Sequence, residues 1–186
     1  MITIVIPTIG KTTLPRAVKS LINQSNPHWL AIVGGDGMNP LIDRPLGDYQ
    51  NIYDDRVVYH EFDRSSNQSK TRHKIIDLVT TDWVGFLDDD DILLPEYVEH
   101  FMQLKDTCDI LIFKMNNYGA VLPPSRDIRH GFVGISFAAK KHLFDSIQFP
   151  DPPSEDYNWL AMNRSAGVNI AYSEYIGYHV RPQSDV

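Results

Sequence analysis

The feature that most constrains this chain is its alternation of short apolar, β-branched runs with stretches of helical periodicity. That pattern restricts the fold to helices layered on a sheet. Ile2 to Ile6 is a continuous buried-strand run ended by Pro7, which cannot donate a ladder hydrogen bond. Leu14, Ala17, Val18 and Leu21 share one face of a helix predicted from about Leu14 to Asn23. Trp29 to Val33 reads as a second buried strand broken by Gly34-Gly35-Asp36-Gly37, and Arg56 to Phe62 as a third, more polar one. A second helix is predicted over Asn67 to Thr80 with Ile75, Ile76, Leu78 and Val79 inward. Trp83 to Leu87 is a strand, Pro95 opens a helix running through Leu104, and Ile110 to Lys114 is a strand again. The expected class is α/β, with a largely parallel central sheet flanked by helices.

From Asn116 to Pro153 the pattern loosens. Gly119, Pro123-Pro124, Gly131 and Gly134 punctuate short segments, which predicts a smaller α+β region. Ser154 is a good N-cap for a helix reaching Gly167, with Tyr157, Leu160 and Ala161 on one face. Asn169 to Val180 reads as one or two closing strands. No repeat or linker interrupts the chain, so one domain over residues 1–186 is expected, a size that fits a single core.

Charge narrows the partners. Lys and Arg total 17 against 24 Asp and Glu, a net charge of −7, so no basic face holds nucleic acid or an anionic membrane by bulk attraction. The one cysteine, Cys108, excludes an intramolecular disulfide and a cysteine zinc cluster, and its apolar surroundings mark it as a buried thiol. The first residues lack the basic flank of a signal peptide, and no stretch approaches the roughly 20 apolar residues of a transmembrane segment. A cytoplasmic location is the expectation.

In parallel sheets, ligands gather outside the carboxyl ends of the strands. The Gly34–Gly37 turn and the run Asp88-Asp89-Asp90-Asp91 both fall there. If strand geometry continued, Asp88 and Asp90 would project to one side and Asp89 and Asp91 to the other. Carboxylates so placed suit Mn²⁺ or Mg²⁺, which takes one or two of them plus substrate phosphates. The competing reading is a solvated acidic turn capping the next helix.

Three look-alikes fail. An EF-hand starting at Asp88 would need an oxygen ligand and a glycine where Ile92 and Leu93 stand. Asp88-x-Asp90 resembles the nucleophile motif of haloacid-dehalogenase-like phosphatases, but it lies far from the N-terminus and Ile92 replaces the usual residue. Gly10-Lys11-Thr12 mimics the end of a P-loop, whose first glycine would fall at Val5 inside a strand. Lys11 and Thr12 are therefore read as a loop leading into a helix.

Taken in order, the segments resemble glycosyltransferase family two, inverting nucleotide-sugar transferases of GT-A fold. Ile2-Thr3-Ile4-Val5-Ile6-Pro7-Thr8 is similar to that family's first strand and proline turn, and Leu21 to Ser25 to the end of its first helix. Ile32 to Gly37 resembles its second-strand motif, with Gly35 replacing the first of two acids. Ser69 to His73 resembles the segment whose arginine approaches the nucleotide, and His73 replaces a frequent asparagine. Phe86 to Pro95 is close to the metal-binding motif. Phe137 to Phe149 followed by Ser154 to Leu160 looks like the segment ending in the catalytic acids, and Gly177 to Pro182 like the closing one.

The resemblance implies a donor half (residues 1–115), an acceptor half (residues 116–186) and a set of roles. Pro7, Thr8, Asp36, Arg72, Asp88, Asp89 and Arg181 would face the donor, a nucleotide-diphosphate sugar, with UDP favoured. Asp90 first and Asp88 second would hold Mn²⁺ or Mg²⁺, with His179 as a further ligand. Asp156, or Glu155 in reserve, would be the base that deprotonates a saccharide or other hydroxyl acceptor. Ordinary roles stand beside these: a turn aspartate for Asp36, a surface arginine for Arg72, dipole-favouring acids for Glu155 and Asp156, and a strand end for His179. Tyr49, Tyr53, Trp83, Trp159 and Tyr178 are candidates to stack on sugar faces. A nucleotidyltransferase or phosphatase using the same carboxylates, or a non-catalytic nucleotide-sugar binder, are the rival functions.

Overall fold

The computed structural model describes residues 1–37 and 54–181. The candidates Tyr49, Tyr53 and Pro182 lie outside the described residues. The elements are β1 (Ile2–Thr8), α1 (Leu14–Ile22), β2 (Trp29–Asp36), β3 (Val57–Phe62), α2 (Gln68–Asp77), β4 (Trp83–Phe86), β5 (Ile92–Leu93), α3 (Tyr97–Leu104), β6 (Ile110–Asn117), β7 (Ala120–Leu122), β8 (Phe137–Lys140), α4 (His142–Ser146), α5 (Glu155–Ser165) and β9 (Ile170–Val180). They form one sheet in the order β3-β2-β1-β4-β8-β6-β9-β5, with β7 hydrogen-bonded to β6. The half β3-β2-β1-β4 is parallel throughout. β8 enters antiparallel between β4 and β6, while β6 and β9 run parallel.

β1 is buried at every position, as expected of a central strand covered on both faces. Leu14, Ala17, Val18 and Leu21 are the buried face of α1, matching the periodicity. Pro7, however, does not end β1: the strand runs to Thr8 and pairs with β2 through Pro7 and Gly34. The proline acts on the other edge. The carbonyl of Val5 accepts from Leu87, and the two-residue period turns Pro7 toward the same neighbour, where it has no N–H to offer. Pairing between β1 and β4 stops at Val5 and Phe86, and the chain departs from the sheet into Asp88–Asp91.

β2 likewise runs through the glycines to Asp36 instead of breaking at Gly34. A Cβ on Gly34 would come within 2.5 Å of Ile75, so the glycine allows α2 to lie close on the sheet and does not mark a turn. α2 ends at Asp77, which leaves Leu78 exposed, contrary to the inward placement expected of it. In α5 the buried residues are Trp159, Leu160 and Asn163, so Leu160 is inward as expected while Tyr157 and Ala161 are only half-buried. Ser154 makes no capping bond. Its backbone is left-handed (φ 66°), and its hydroxyl pairs with His130 Nε2 at 2.7 Å. Trp83, Trp159 and Tyr178 are all buried in the core. Cys108 is buried, as its neighbours predicted. Among the described residues no helix is long and apolar enough to cross a membrane.

Candidate active site

A cleft of about 400 Å³ opens at the carboxyl ends of β1 and β2, bordered by Pro7, Thr8, Lys11, Asp36, Arg64, Asn67, Gln68, Thr71 and Asp89. Four of the predicted donor-side residues, Pro7, Thr8, Asp36 and Asp89, therefore border this cleft. Asp36 is buried, and its Oδ1 accepts the backbone N–H of Ser65. Thr8 Oγ1 donates to Asp89 Oδ2 at 2.7 Å and accepts the N–H of Gly10 at 2.9 Å. The first strand is thus tied to the acidic run at the floor of the cleft.

The run itself does not continue as a strand. It folds into a turn in which the Asp91 N–H reaches the Asp88 carbonyl at 3.1 Å, with Asp89 and Asp91 buried and Asp88 and Asp90 half-buried. Asp88 accepts from Gln68 Nε2 at 3.0 Å and from Arg72 Nη2 at 2.9 Å. Asp89 and Asp90 share Lys11 Nζ, at 2.9 and 3.1 Å. Asp90 also takes Arg181 Nε at 3.1 Å. Asp91 is buried beneath, accepting the Arg181 N–H at 2.7 Å. The Tyr178 hydroxyl holds the turn from below, accepting the Asp88 N–H at 3.0 Å and sharing a hydrogen bond with the Asp91 carboxyl. Tyr178 is thus a buried prop of the acidic turn. Burial, reinforced by the charge of Asp88, pushes Asp91 up to about 7. Lys11 stays above its ordinary value because Asp89 and Asp90 together outweigh the cost of its partial burial.

Arg72 joins the two halves of the site. It is 1% exposed, and its guanidinium pairs with Asp88 at 2.9 Å, Glu155 at 3.1 Å and Asp156 at 3.2 Å. The acids expected to serve as base thus lie one arginine away from the acidic turn, 64 or more positions distant in sequence. They are held there by α5. One turn further on, Trp159 stacks on Phe144 (4.5 Å, 11°) and Phe137 (5.4 Å, 11°), and its Nε1 donates to Ile147 at 2.6 Å. α2 fastens the approach from the other side. His73 Nε2 accepts the Phe149 N–H at 2.7 Å, Ser69 Oγ donates to Pro150, and Asn67 Nδ2 donates to Asp151. Burial raises Asp156 to about 7, against the pull of Arg72 and with help from Asp88 and Glu155. A carboxylate poised near neutrality suits general base work.

The donor set suits a hard divalent cation of the kind that takes one or two carboxylates and completes its shell with phosphate oxygens. Asp90 already draws two cationic side chains, Lys11 and Arg181, and the somewhat more exposed Asp88 is the neighbouring candidate. His179 sits in β9, paired through its backbone with Ile92 and Asn116. Among the described residues no three His, Cys, Asp or Glu side chains gather as a ligand group.

Residues 3–152 match the family profile described as Glycosyl transferase family 2. The chain belongs to that family. The match ends before Glu155 and Asp156, whose connection to the site therefore rests on the Arg72 contacts. No curated protein sequence matches the chain. Among solved structures, S. aureus TarS 1-349 in complex with UDP-GlcNAc superposes with a TM-score of 0.80 at 18% identity, covering 98% of this chain and 59% of that one. The mannosyltransferase PcManGT from Pyrobaculum calidifontis, in complex with GDP-Man and Mn2+, gives 0.75 at 14% identity, with 98% and 57% covered. This family member therefore has the GT-A fold and spans a little under three fifths of the length of those chains.

The sequence reading missed several of the cleft's residues. The sequence marks Lys11 only as part of a connector, and it gives Gln68 and Tyr178 no role at the acidic run. Only the N-cap pattern at Asn67, whose side chain accepts the Lys70 N–H, was open to a sequence rule. Nothing in the sequence ranks Lys11 above the other lysines.

Proposed function

We propose that this family member transfers a sugar from a nucleotide-diphosphate donor, favouring UDP, to a hydroxyl acceptor with inversion at the anomeric carbon. The observation that carries this reading is the buried Arg72, which holds the acidic turn and the Asp156–Glu155 pair together beside the cleft. The neighbours crystallised with UDP-GlcNAc and GDP-Man lend the donor class.

In this reading residues 1–115 bind the donor, and residues 116–186 shape the acceptor side. Asp36 accepts the ring N–H of the base, a task suited to a group that only accepts, while Pro7 and Thr8 set the shape of the floor. Asp90 and Asp88 would hold Mn²⁺ or Mg²⁺, which when bound offsets the charge that develops on the leaving nucleoside diphosphate. Asp156 removes the acceptor hydroxyl proton as the oxygen attacks the anomeric carbon from the face opposite the leaving group, with Glu155 in reserve. Arg72 fixes the direction of that carboxylate and limits how far burial raises it.

The test is to incubate the purified chain with a panel of UDP- and GDP-sugars, acceptors and Mn²⁺, and to identify the released product. Nucleoside diphosphate is expected, and Asp90→Ala should abolish its release. Unchanged transfer by Asp90→Ala in chelator would refute the assignment. Release of pyrophosphate or inorganic phosphate would select the nucleotidyltransferase or phosphatase class.

A further inference from the structure

Lys11 stands in the loop joining β1 to α1, and Gly10, at φ 88°, makes the turn that delivers it. Its Nζ lies 2.9 Å from Asp89 Oδ1 and 3.1 Å from Asp90 Oδ2. The two carboxylates are otherwise engaged in different ways. Asp89 is fixed in the floor by Thr8, and its side chain is 5% exposed. Asp90 also faces Arg181 Nε at 3.1 Å, and its carbonyl accepts Arg16 Nη2 at the same distance. Three cationic side chains thus converge on two adjacent aspartates, and the lysine side chain, 43% exposed, also borders the cleft.

A lysine ammonium is a compact charge on a flexible stem and can change partners with little loss, whereas a guanidinium fork is bound to one geometry. An ammonium and a divalent cation repel each other strongly at the distance of a shared carboxylate. Whichever occupies Asp90 displaces the other, and the nearest place for a displaced ammonium is the anionic ligand of the same cleft.

We propose that Lys11 is an exchangeable counter-ion, which neutralises Asp89 and Asp90 in the donor-free protein and moves onto the donor's diphosphate when a divalent cation takes Asp90. The proposal rests on the nucleotide-sugar reading above and adds to it a competition built into the chain. Without nucleotide, the lysine weakens cation binding. With nucleotide, its transfer couples the two ligands so that each tightens the other.

The experiment measures Mn²⁺ alone, UDP alone and UDP with saturating Mn²⁺, by titration calorimetry, on wild type, Lys11→Met and Lys11→Arg. Lys11→Met should bind Mn²⁺ roughly fivefold more tightly, and the gain in UDP affinity that Mn²⁺ gives should be roughly fivefold smaller than in wild type, the scale of one exposed ion pair. The Mn²⁺ difference should shrink in about 0.5 M salt, where such charges are screened. Lys11→Arg, which keeps the charge, should bind Mn²⁺ like wild type. If Lys11→Met binds Mn²⁺ no more tightly than wild type while both bind UDP, the exchange role alone is overturned. Lys11→Arg binding Mn²⁺ as tightly as Lys11→Met overturns it as well. A wild type that binds neither UDP nor Mn²⁺ overturns the nucleotide-sugar reading on which the proposal stands.

Discussion

Replacing Arg72 by methionine tests the centre of this structure. The arginine is 1% exposed and is the shared cation of Asp88, Glu155 and Asp156. Methionine keeps much of the stem's volume, so the loss is mainly electrostatic. Removing one partner from a buried charge set costs about 3–5 kcal/mol, because the remaining charges stay buried without compensation. At about 2–4 °C per kcal/mol for a chain of this size, the melting temperature should fall by roughly 10 °C.

The deficit should also depend on pH, with a definite sign. Asp156 titrates near 3.8 when unfolded and near 7 in the fold, so the native state binds the extra proton between those values. A native state that holds more protons loses stability as pH rises through that window. Arg72 opposes the shift, and without it the folded value climbs further and the loss continues above pH 7. Thermal or urea unfolding of wild type and Arg72→Met at about pH 6 and about pH 8 would measure this, and the gap should be larger at the higher pH. A deficit under about 1 kcal/mol, or one equal at both pH values, would show that the three carboxylates do not depend on the arginine.

Asp156→Asn should lower kcat by about 10²-fold or more while the donor Kd changes by less than about twofold; equal losses in both would remove its assignment as base. In wild type, kcat/KM should rise with pH through about 7 as Asp156 deprotonates, and a flat profile from pH 5 to 9 would speak against it. Tyr178→Phe removes the hydroxyl that joins the Asp88 N–H to Asp91, so the urea midpoint should drop by the equivalent of about 1–3 kcal/mol. Gly34→Ala places a methyl 2.5 Å from Ile75 Cγ1 and Cδ1, and should cost about 1–3 kcal/mol in the same assay.

The parallel half of the fold was legible because its strands are continuous apolar runs and α1 carries an uninterrupted stripe of period 3.6. The boundaries that failed did so for tertiary reasons. Pro7 and Gly34 read as strand breakers, yet Pro7's missing donor falls where β4 departs and Gly34's missing Cβ admits Ile75. β7 and β8 were not visible because each has only three or four residues and their pairing partners are distant. In the site, the acidic run and the Glu155–Asp156 pair stood out as unusual local chemistry. Arg72, 16 positions before Asp88 and more than 80 before Glu155, could not be read as their common partner, because long-range pairing leaves no local pattern. Its helix position suggested a surface arginine; burial on α2 made it the keystone.

The location of backbone strain argues independently for this end of the sheet. Among the described residues, four non-glycine positions have left-handed φ: Ser66, Tyr118, Ser154 and Arg181. Such conformations cost of order 1 kcal/mol each or more and persist only where surrounding contacts fix them. Ser66 borders the cleft, and Ser154 is the residue before Glu155 and Asp156. Arg181 pairs with Asp90, and the Tyr118 hydroxyl bonds to Arg181. Strain distributed by chance would be spread over the whole surface, including the large exposed area at the opposite ends of the strands, where these four are not found. Its clustering coincides with a second unfavourable feature, carboxylates held near neutrality by burial at Asp91 and Asp156. Two separate costs, conformational and electrostatic, meet around the acidic turn and the Glu155–Asp156 pair. A chain selected for stability alone would have relieved either with ordinary substitutions; that neither is relieved is what a site kept for ligand binding would show.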